Sequence, residues 1–207
     1  MSDRIDLKMI EAWEKRWRDA DPRRSISVLG RRMFKAKRKA LRDVLADIRF
    51  ETAIDVGCGL GHTLEIIQQS GAQALGIDVS SHAVGHCAKK GLNVFQKKLE
   101  DVEDMFDLVL SDGLLEHLLH FEPYAGHLMR ISRKYVLLIQ PNHDSVPGKT
   151  AAFLAGIFQD RRNVHEYNYR IRDFIDVFES RHFRLRSNRP IFFNVFRLLM
   201  FEKRQTA

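Results

Sequence analysis

Residues 53–61 have the sequence Ala-Ile-Asp-Val-Gly-Cys-Gly-Leu-Gly, and this stretch decides the fold. Its first four residues form a short run, rich in β-branched side chains, that is typical of a buried strand. Three glycines at every second position follow, and residues 63–69 then have helical character. Glycine lets the backbone turn sharply and approach a ligand, and the free N–H groups at a helix start attract anions. The stretch therefore predicts an anion- and nucleotide-binding corner made of a strand, a turn and a helix.

The composition is that of an ordinary globular protein. The chain has 207 residues, of which 44% are hydrophobic and 29% are charged, and this suits one domain, or one domain with an added segment. We expect neither a signal peptide nor a transmembrane segment, because no non-polar run approaches the required length. The only cysteines, Cys58 and Cys87, cannot form a disulfide framework, so we expect a reducing, cytoplasmic location.

Positive charge is concentrated near the amino terminus. Residues 1–50 contain 15 Lys and Arg against 8 Asp and Glu, and this excess of 7 equals the formal net charge of +7 of the whole chain. The remaining residues are therefore neutral overall. We predict a basic helical cap over residues 1–49 and a single globular unit over residues 50–207.

Two amphipathic helices are predicted in this cap. The first carries non-polar residues at four-residue spacing, namely Ile5, Met9, Trp13 and Trp17. The second runs roughly over residues 27–48 and carries many Lys and Arg residues on its polar side. That side is either a solvated surface or a lid or platform for an anionic substrate, whether phosphate, carboxylate, nucleic acid or lipid headgroup. Nucleic acid would bind through residues 4–42. The tryptophans are interpreted as core anchors rather than as platforms for stacked bases.

Strands and helices alternate after the glycines. Further strands are predicted over residues 72–79, 91–96, 106–111, 135–140, 183–187 and 195–202. This alternation predicts an α/β protein with a seven-stranded, mostly parallel sheet and helices on both faces. The last two strands have no helix between them, which predicts an antiparallel C-terminal strand at one edge.

The glycine spacing differs from that of dinucleotide-binding proteins. Their motif is G-x-G-x-x-G, whereas this chain has G-x-G-x-G, with His62 at the place of the third dinucleotide glycine. Asp55 lies two residues before the first glycine. Asp78 ends the next predicted strand, where a carboxylate can accept hydrogen bonds from two ribose hydroxyls. With these residues the sequence resembles the class I S-adenosylmethionine-dependent methyltransferases of the ubiquinone- and menaquinone-biosynthesis type.

The resemblance extends from about residue 50 to the C-terminus. It is carried by four stretches in order, namely residues 55–61, residues 76–80, residues 106–109 with Leu115-Glu116-His117, and residues 165–167 with Phe183-Arg184. It implies a Rossmann-like three-layer αβα sandwich, with S-adenosylmethionine as the cofactor and S-adenosylhomocysteine as the product.

The resemblance also implies which residues hold the cofactor. Asp55 and the glycine loop would hold its methionine portion, Asp78 its ribose, and Ser111 would offer its backbone near the sulfonium. Leu99 and Glu100 would flank the adenine. Lys98 stands where many relatives carry an acidic residue, so the contact with the adenine amino group would come from Glu100, Asp101 or the backbone. The complete implied set is Asp55, Gly57, Cys58, Gly59, Gly61, Asp78, Val79, Leu99, Glu100 and Ser111.

Candidate catalytic residues follow from the chemistry of methyl transfer. This reaction is an in-line displacement, for which the protein aligns the partners and, for some acceptors, removes a proton. The candidate bases near the strand ends are Asp112, Glu116, His117, His143 and His165. Histidine titrates closest to neutral pH, so the predicted catalytic residues are His117, His143 and His165. No metal site is expected, because the paired histidines lack a third ligand. In addition, Gly113 occupies a position where some metal-binding relatives have glutamate.

The acceptor is the part of the function that the sequence leaves open. The leading hypothesis is a small-molecule or lipid-like acceptor of anionic or non-polar character, selected within residues 142–168. That segment includes the non-polar run 151–158. The alternatives are an RNA methyltransferase or nucleic-acid-binding protein that uses the basic helices, and a non-catalytic member that only binds the cofactor. The sequence specifies neither the nucleophilic atom nor the oligomeric state.

Overall fold

The computed structural model describes residues 7–19, 28–150 and 165–204. The predictions made for Ile5 and for the non-polar run 151–158 lie outside these residues.

Six helices and seven strands have described bounds, together with two short 3₁₀ turns. The helices are α1 (Leu7–Arg18), α2 (Val28–Ala46), α3 (His62–Gln68), α4 (Ser81–Lys89), α5 (Glu122–Arg130) and α6 (Ile171–Glu179). The strands are β1 (Thr52–Val56), β2 (Gln73–Asp78), β3 (Val94–Gln96), β4 (Phe106–Asp112), β5 (Ser132–Pro141), β6 (Phe183–Ile191) and β7 (Phe196–Lys203). The 3₁₀ turns cover Leu99–Asp101 and Leu115–His117. Residues 146–150 are also helical, up to the end of their described range.

All seven strands form one sheet, in the order β3-β2-β1-β4-β5-β7-β6. Strands β1 to β5 pair in parallel, and β7 pairs antiparallel with both β5 and β6. The predicted α/β class, with a mostly parallel sheet and antiparallel C-terminal pairing, is therefore confirmed. The last strand lies inside the sheet rather than at its edge, because the tight turn after β6 folds β7 back between β6 and β5.

Hydrophobic clusters cover both faces of the sheet. Alternate residues of β4 point to opposite faces, so that Leu108 and Leu110 belong to one cluster and Val109 to the other. The first cluster includes residues of α2 and α3, and the second includes residues of α5 and α6. Helix α6 shows why these segments are helical, since its buried residues Ile171, Phe174, Ile175 and Phe178 follow the helical repeat.

Helix α2 belongs to one of these layers. Its buried residues Leu41, Val44 and Leu45 lie in the same cluster as Ala53 of β1 and Leu64 of α3. The predicted domain boundary between residues 49 and 50 stays a prediction. Among the described residues, no helix combines the length and the non-polar character that crossing a membrane requires.

Candidate active site

A cavity lies where the parallel strands end. Strands β1, β2 and β4 run in the same direction, and Asp55 is in register with both Gly76 of β2 and Leu110 of β4. Their carboxyl ends therefore meet at one edge of the sheet, where ligands of open α/β sheets bind. A cavity of about 350 Å³ opens at this edge, within the size range of small-molecule sites.

The predicted glycine loop forms part of the cavity wall. The backbone N–H groups of Gly57 and Cys58 both donate to the carbonyl of Ile77, at 2.9 and 3.0 Å, which fastens the loop to the end of β2. Gly59 has a φ of 50°, and a Cβ atom there would lie 2.7 Å from Cζ2 of Trp17. Glycine is therefore required at this position both by the backbone conformation and by the close approach of an indole ring.

Asp78 holds the loop from the other side. Its Oδ2 accepts the backbone N–H of Gly59 at 2.9 Å, and its Oδ1 accepts that of Ser80 at 2.9 Å. The side chain is 6% exposed, and burial raises its pKa above the ordinary value while these hydrogen bonds act in the opposite direction. Because each carboxylate oxygen can accept more than one hydrogen bond, Asp78 retains capacity for hydroxyl groups of a ligand.

Asp55 is an unusual carboxyl group, because it is buried and incompletely paired. The residue is 1% exposed and lines the cavity, and its Oδ2 has no hydrogen-bond partner among the described residues. Burial raises its pKa well above the ordinary value, and the nearby carboxylates of Asp112 and Asp78 raise it further. An unpartnered buried carboxyl oxygen is costly in free energy. The arrangement therefore suits a ligand that brings a cation or a hydrogen-bond donor.

The other predicted cofactor residues divide into two groups. The first group lines the cavity and consists of Gly57, Cys58, Gly59, Val79 and Leu99. The hydrogen bond with Cys87, together with burial, raises the pKa of the Cys58 thiol, so this group remains protonated.

The second group lies outside the cavity lining. Gly61 caps the start of α3. Ser111 is completely buried near the end of β4. Its backbone nevertheless lies at the strand end beside the cavity. Glu100 follows Leu99 in a 3₁₀ turn, and both of its carboxylate oxygens are buried without a partner in the described structure.

Of the three predicted catalytic histidines, the structure brings only His117 to the cavity. Its Nδ1 lies 2.8 Å from the backbone carbonyl of His165. A carbonyl only accepts, so Nδ1 carries the proton and Nε2 is left as an acceptor. Burial lowers the pKa of His117, which favours the neutral ring. The His117 ring also contacts Trp13 edge to face, with ring centroids 4.9 Å apart.

His143 and His165 do not line the cavity. His165 contributes its backbone carbonyl to His117, while its own ring packs against Tyr167 at a centroid distance of 4.5 Å. His143 is half-buried, and burial lowers its pKa. Spacing along the chain could not separate these three histidines, because the decisive contact joins residues 48 positions apart.

Helix α1 supplies a cavity wall that the site prediction did not include. Trp13 and Trp17 stack with ring centroids 5.8 Å apart, and the guanidinium of Arg16 lies 5.3 and 5.7 Å from the two ring centroids. All three residues line the cavity. The helix is attached to α4 through Glu14, which accepts a hydrogen bond from the Ser81 hydroxyl at 2.5 Å. The four-residue spacing of non-polar residues predicted a non-polar face on α1, but it did not predict that this face lines the cavity.

Helix α2 supplies a second unpredicted part of the wall. Its Lys37 donates to Oδ1 of Asp112 at 2.7 Å, and the same ammonium lies 4.2 Å from the ring centroid of Phe196. Beside them lies Glu116, which is 5% exposed and whose Oε2 has no partner among the described residues. Burial raises the pKa of Glu116 to about 8. Within residues 7–19, 28–150 and 165–204, no cluster of three or more His, Cys, Asp or Glu side chains is arranged to bind a metal.

Comparison with known proteins identifies one family. The family model described as "Methyltransferase domain" matches residues 29–189. A ubiquinone biosynthesis O-methyltransferase of Methylococcus capsulatus is 40% identical over an alignment of 75 residues that covers 31% of this chain. The match spans about a third of that relative's length (32%).

Solved structures with a similar fold match almost the whole chain. A magnesium protoporphyrin IX methyltransferase from Synechocystis PCC 6803, solved with bound S-adenosylhomocysteine, has a TM-score of 0.72 at 16% identity and covers 95% of each chain. A possible histamine N-methyltransferase from Thermotoga maritima has a TM-score of 0.73 at 13% identity and covers 94% of this chain and 100% of its own. At these identities the two structures establish the fold alone.

Proposed function

Because this chain belongs to the methyltransferase domain family, we propose that it moves a methyl group from S-adenosylmethionine to a small-molecule or lipid-like acceptor. The observation that carries this proposal is the unpartnered Oδ2 of Asp55. This oxygen lies in a cavity that also contains the glycine loop and Asp78. The relative from M. capsulatus, which is an O-methyltransferase by name, supports the same activity.

The residues that line the cavity fit this cofactor. Asp55 would receive the ammonium of its methionine portion, and the positive charge would stabilise a carboxylate that burial disfavours. Asp78 would accept hydrogen bonds from ribose hydroxyls, since both of its oxygens are already oriented by backbone N–H groups. Val79 and Leu99 would contact the adenine through their non-polar side chains. When bound, the cofactor supplies an electrophilic methyl group.

The remaining chemistry belongs to the chain. The indoles of α1 and the side chains of α2 line the cavity, and with the cofactor bound they would exclude water, which strengthens electrostatic interactions inside it. His117 offers Nε2 as a proton acceptor, since Nδ1–H is held by the carbonyl of His165. Glu116 is a second proton acceptor in the same wall once it is ionised. The positive charge of the nearby Lys37 favours that ionised form.

The acceptor that suits this cavity is largely non-polar and carries an anionic or ionisable group. Non-polar side chains from three elements contribute to the lining, namely Met33, Phe34, Ile139 and Phe196. The cavity lining also carries positive charge, from Lys37 together with Arg16, Arg38 and Lys97. We propose a cytoplasmic location as well, which the two free thiols of Cys58 and Cys87 support.

Isothermal titration with S-adenosylmethionine and S-adenosylhomocysteine tests the proposal. We expect both to bind one site, and we expect Asp78→Asn to weaken the binding at least about tenfold, because the amide loses one acceptor oxygen. Asp104→Asn, which changes an exposed acidic residue, is the matched control. Thermal melting of each variant confirms that it is folded.

Each outcome of the titration has a definite meaning. No binding by the unmodified chain, or equal binding by Asp78→Asn, contradicts the proposed cofactor site. Binding without turnover across a panel of phenols, carboxylates, amines and quinols would instead support the non-catalytic alternative.

A further inference from the structure

The outward face of α2 carries a continuous row of exposed residues. Val28, Arg32, Lys35, Lys39 and Arg42 follow one another at alternating spacings of four and three. This spacing places them on one side of a helix, and all five are exposed. We call this row the outer stripe.

The charged residues of α2 are almost all positive. The helix contains seven Lys and Arg residues and a single acidic residue, Asp43. A merely solvated helix face usually alternates acidic and basic residues four positions apart. Here Asp43 neutralises only Lys39, at 2.6 Å, and Arg32 and Lys35 lie three positions apart with the same charge. An anionic surface would relieve this repulsion.

Exposed aliphatic side chains lie at the amino-terminal end of the outer stripe. Val28 is 58% exposed and Leu29 is 64% exposed. Leu29 is three positions before Arg32, so the two side chains are neighbours on the helix surface. Aliphatic residues beside Lys and Arg are typical of helices that lie in the plane of an anionic bilayer.

The aromatic residues argue against nucleic acid as the partner. Proteins that bind single-stranded RNA stack its bases on exposed aromatic side chains. In the described residues, the two tryptophans of α1, Trp13 and Trp17, line the cavity instead. Phe34 of α2 is half-buried and lies between the cavity and the surface hollow beside the outer stripe. Trp13 is only 9% exposed, and Trp17 lies against Gly59. No aromatic residue belongs to the outer stripe.

We propose that the outer stripe docks the protein on an anionic lipid bilayer. The docking rests on exposure and charge and does not depend on methyl transfer. The opposite side of the same helix presents Met33, Phe34 and Lys37 to the cavity. Docking therefore brings a wall of the cavity close to the bilayer, and, if the proposed function holds, this suits an acceptor that is itself dissolved in the membrane.

Vesicle flotation tests this proposal with the full chain. Vesicles of phosphatidylcholine alone are compared with vesicles of phosphatidylcholine mixed with phosphatidylglycerol. We expect flotation only with the anionic vesicles, and we expect it to decline as salt is added. The double variant Arg32→Gln with Lys35→Gln removes two charges from the stripe and should lower the partition coefficient by roughly twenty-five-fold.

A matched control removes two exposed basic residues elsewhere, in Lys89→Gln with Arg133→Gln. It should bind vesicles as the unmodified protein does, within about twofold. Equal flotation with both kinds of vesicle, no flotation with either, or the same loss in both double variants overturns the proposal. Tighter binding to a single-stranded RNA oligonucleotide than to anionic vesicles, lost in the stripe variant, also overturns it and assigns the stripe to nucleic acid.

Discussion

Lys37 of α2 donates a hydrogen bond to Asp112 at the end of β4, with 2.7 Å between Nζ and Oδ1. The two residues are 75 positions apart in the chain, and their side chains are 19% and 23% exposed. This contact joins the basic amino-terminal segment to the edge of the sheet where the cavity lies. It makes α2 a component of the site as well as of the core.

Lys37→Met should therefore destabilise the protein. The substitution removes a partly buried ion pair and the contact with the Phe196 ring, so we expect the free energy of unfolding to fall by about 1 kcal/mol. Urea denaturation measures this difference. Lys39→Met on the same helix is the control, because its pair with Asp43 is more exposed, at 76% and 45%, and should contribute about 0.5 kcal/mol or less. Equal losses in the two variants would contradict the structural role of Lys37.

Gly59→Ala should disturb both the glycine loop and α1. The φ of 50° disfavours any residue with a Cβ atom, by about 1–2 kcal/mol, and the new methyl group must also displace Trp17. Gly71→Ala is the matched control, since Gly71 has a φ of 85° and no atom within 4 Å of the added Cβ. We expect Gly59→Ala to lose at least about 1 kcal/mol more stability than the control. Tryptophan emission should shift in this variant alone, and an unchanged emission spectrum would show that Trp17 does not lie against the loop.

Glu116→Gln should change how stability depends on pH. The folded pKa is raised to about 8, whereas an unfolded glutamate titrates near 4.3. Below the unfolded pKa the carboxyl group is protonated in both the folded and the unfolded state, so the free energy of unfolding does not vary with pH through this group. Between the two values only the unfolded state is ionised, so the free energy of unfolding falls as pH rises, by up to about 1.4 kcal/mol per pH unit.

The glutamine variant lacks this loss, so its stability relative to the unmodified protein should rise between about pH 4 and pH 8 and level off above. Urea denaturation at a series of pH values measures the difference, and Glu103→Gln, at an exposed position, is the control. A stability difference for Glu116→Gln that does not vary with pH would rule out the raised pKa.

Replacing the three histidines should separate their roles. His117→Ala removes the only one of them that lines the cavity, and loss of a general base typically lowers kcat by about 10²- to 10⁴-fold. His165→Ala is a precise control, because His165 reaches His117 through its backbone carbonyl, which alanine retains. His165→Ala and His143→Ala should keep kcat within about threefold.

Steady-state kinetics with an acceptor found in the panel supplies the kcat values. Titration with S-adenosylhomocysteine shows whether cofactor affinity is preserved in each variant. Undiminished turnover by His117→Ala would exclude it as the base and leave Glu116 as the proton acceptor in this wall.

Most of the fold could be predicted from local patterns. The glycine spacing, with Asp55 before it and Asp78 after it, and the two later motif stretches together predicted the family, and this prediction is confirmed. The strand segments and their succession along the chain were predicted, because hydrophobic runs and turn residues are local features of the sequence. The position of β7 between β5 and β6 was not predicted, because the sequence of a strand carries little information about which distant strand pairs with it.

The prediction of the site was less complete. Val79 and Leu99 line the cavity, whereas Gly61, Glu100 and Ser111 do not, and the contacts of all five with the cofactor stay predictions. Motif positions identify which segment lies near the cavity, but they do not determine which side of a turn or strand faces it.

The sequence by itself determined the glycine loop and the carboxylates beside it, because backbone conformation and strand ends depend on neighbouring residues. Only the tertiary structure decided what covers the loop. Trp17 lies against Gly59 across 42 positions of the chain, and Lys37 reaches Asp112 across 75. Such contacts depend on how whole helices pack on the sheet, so they arise from the complete set of buried surfaces and cannot be assigned from any one segment.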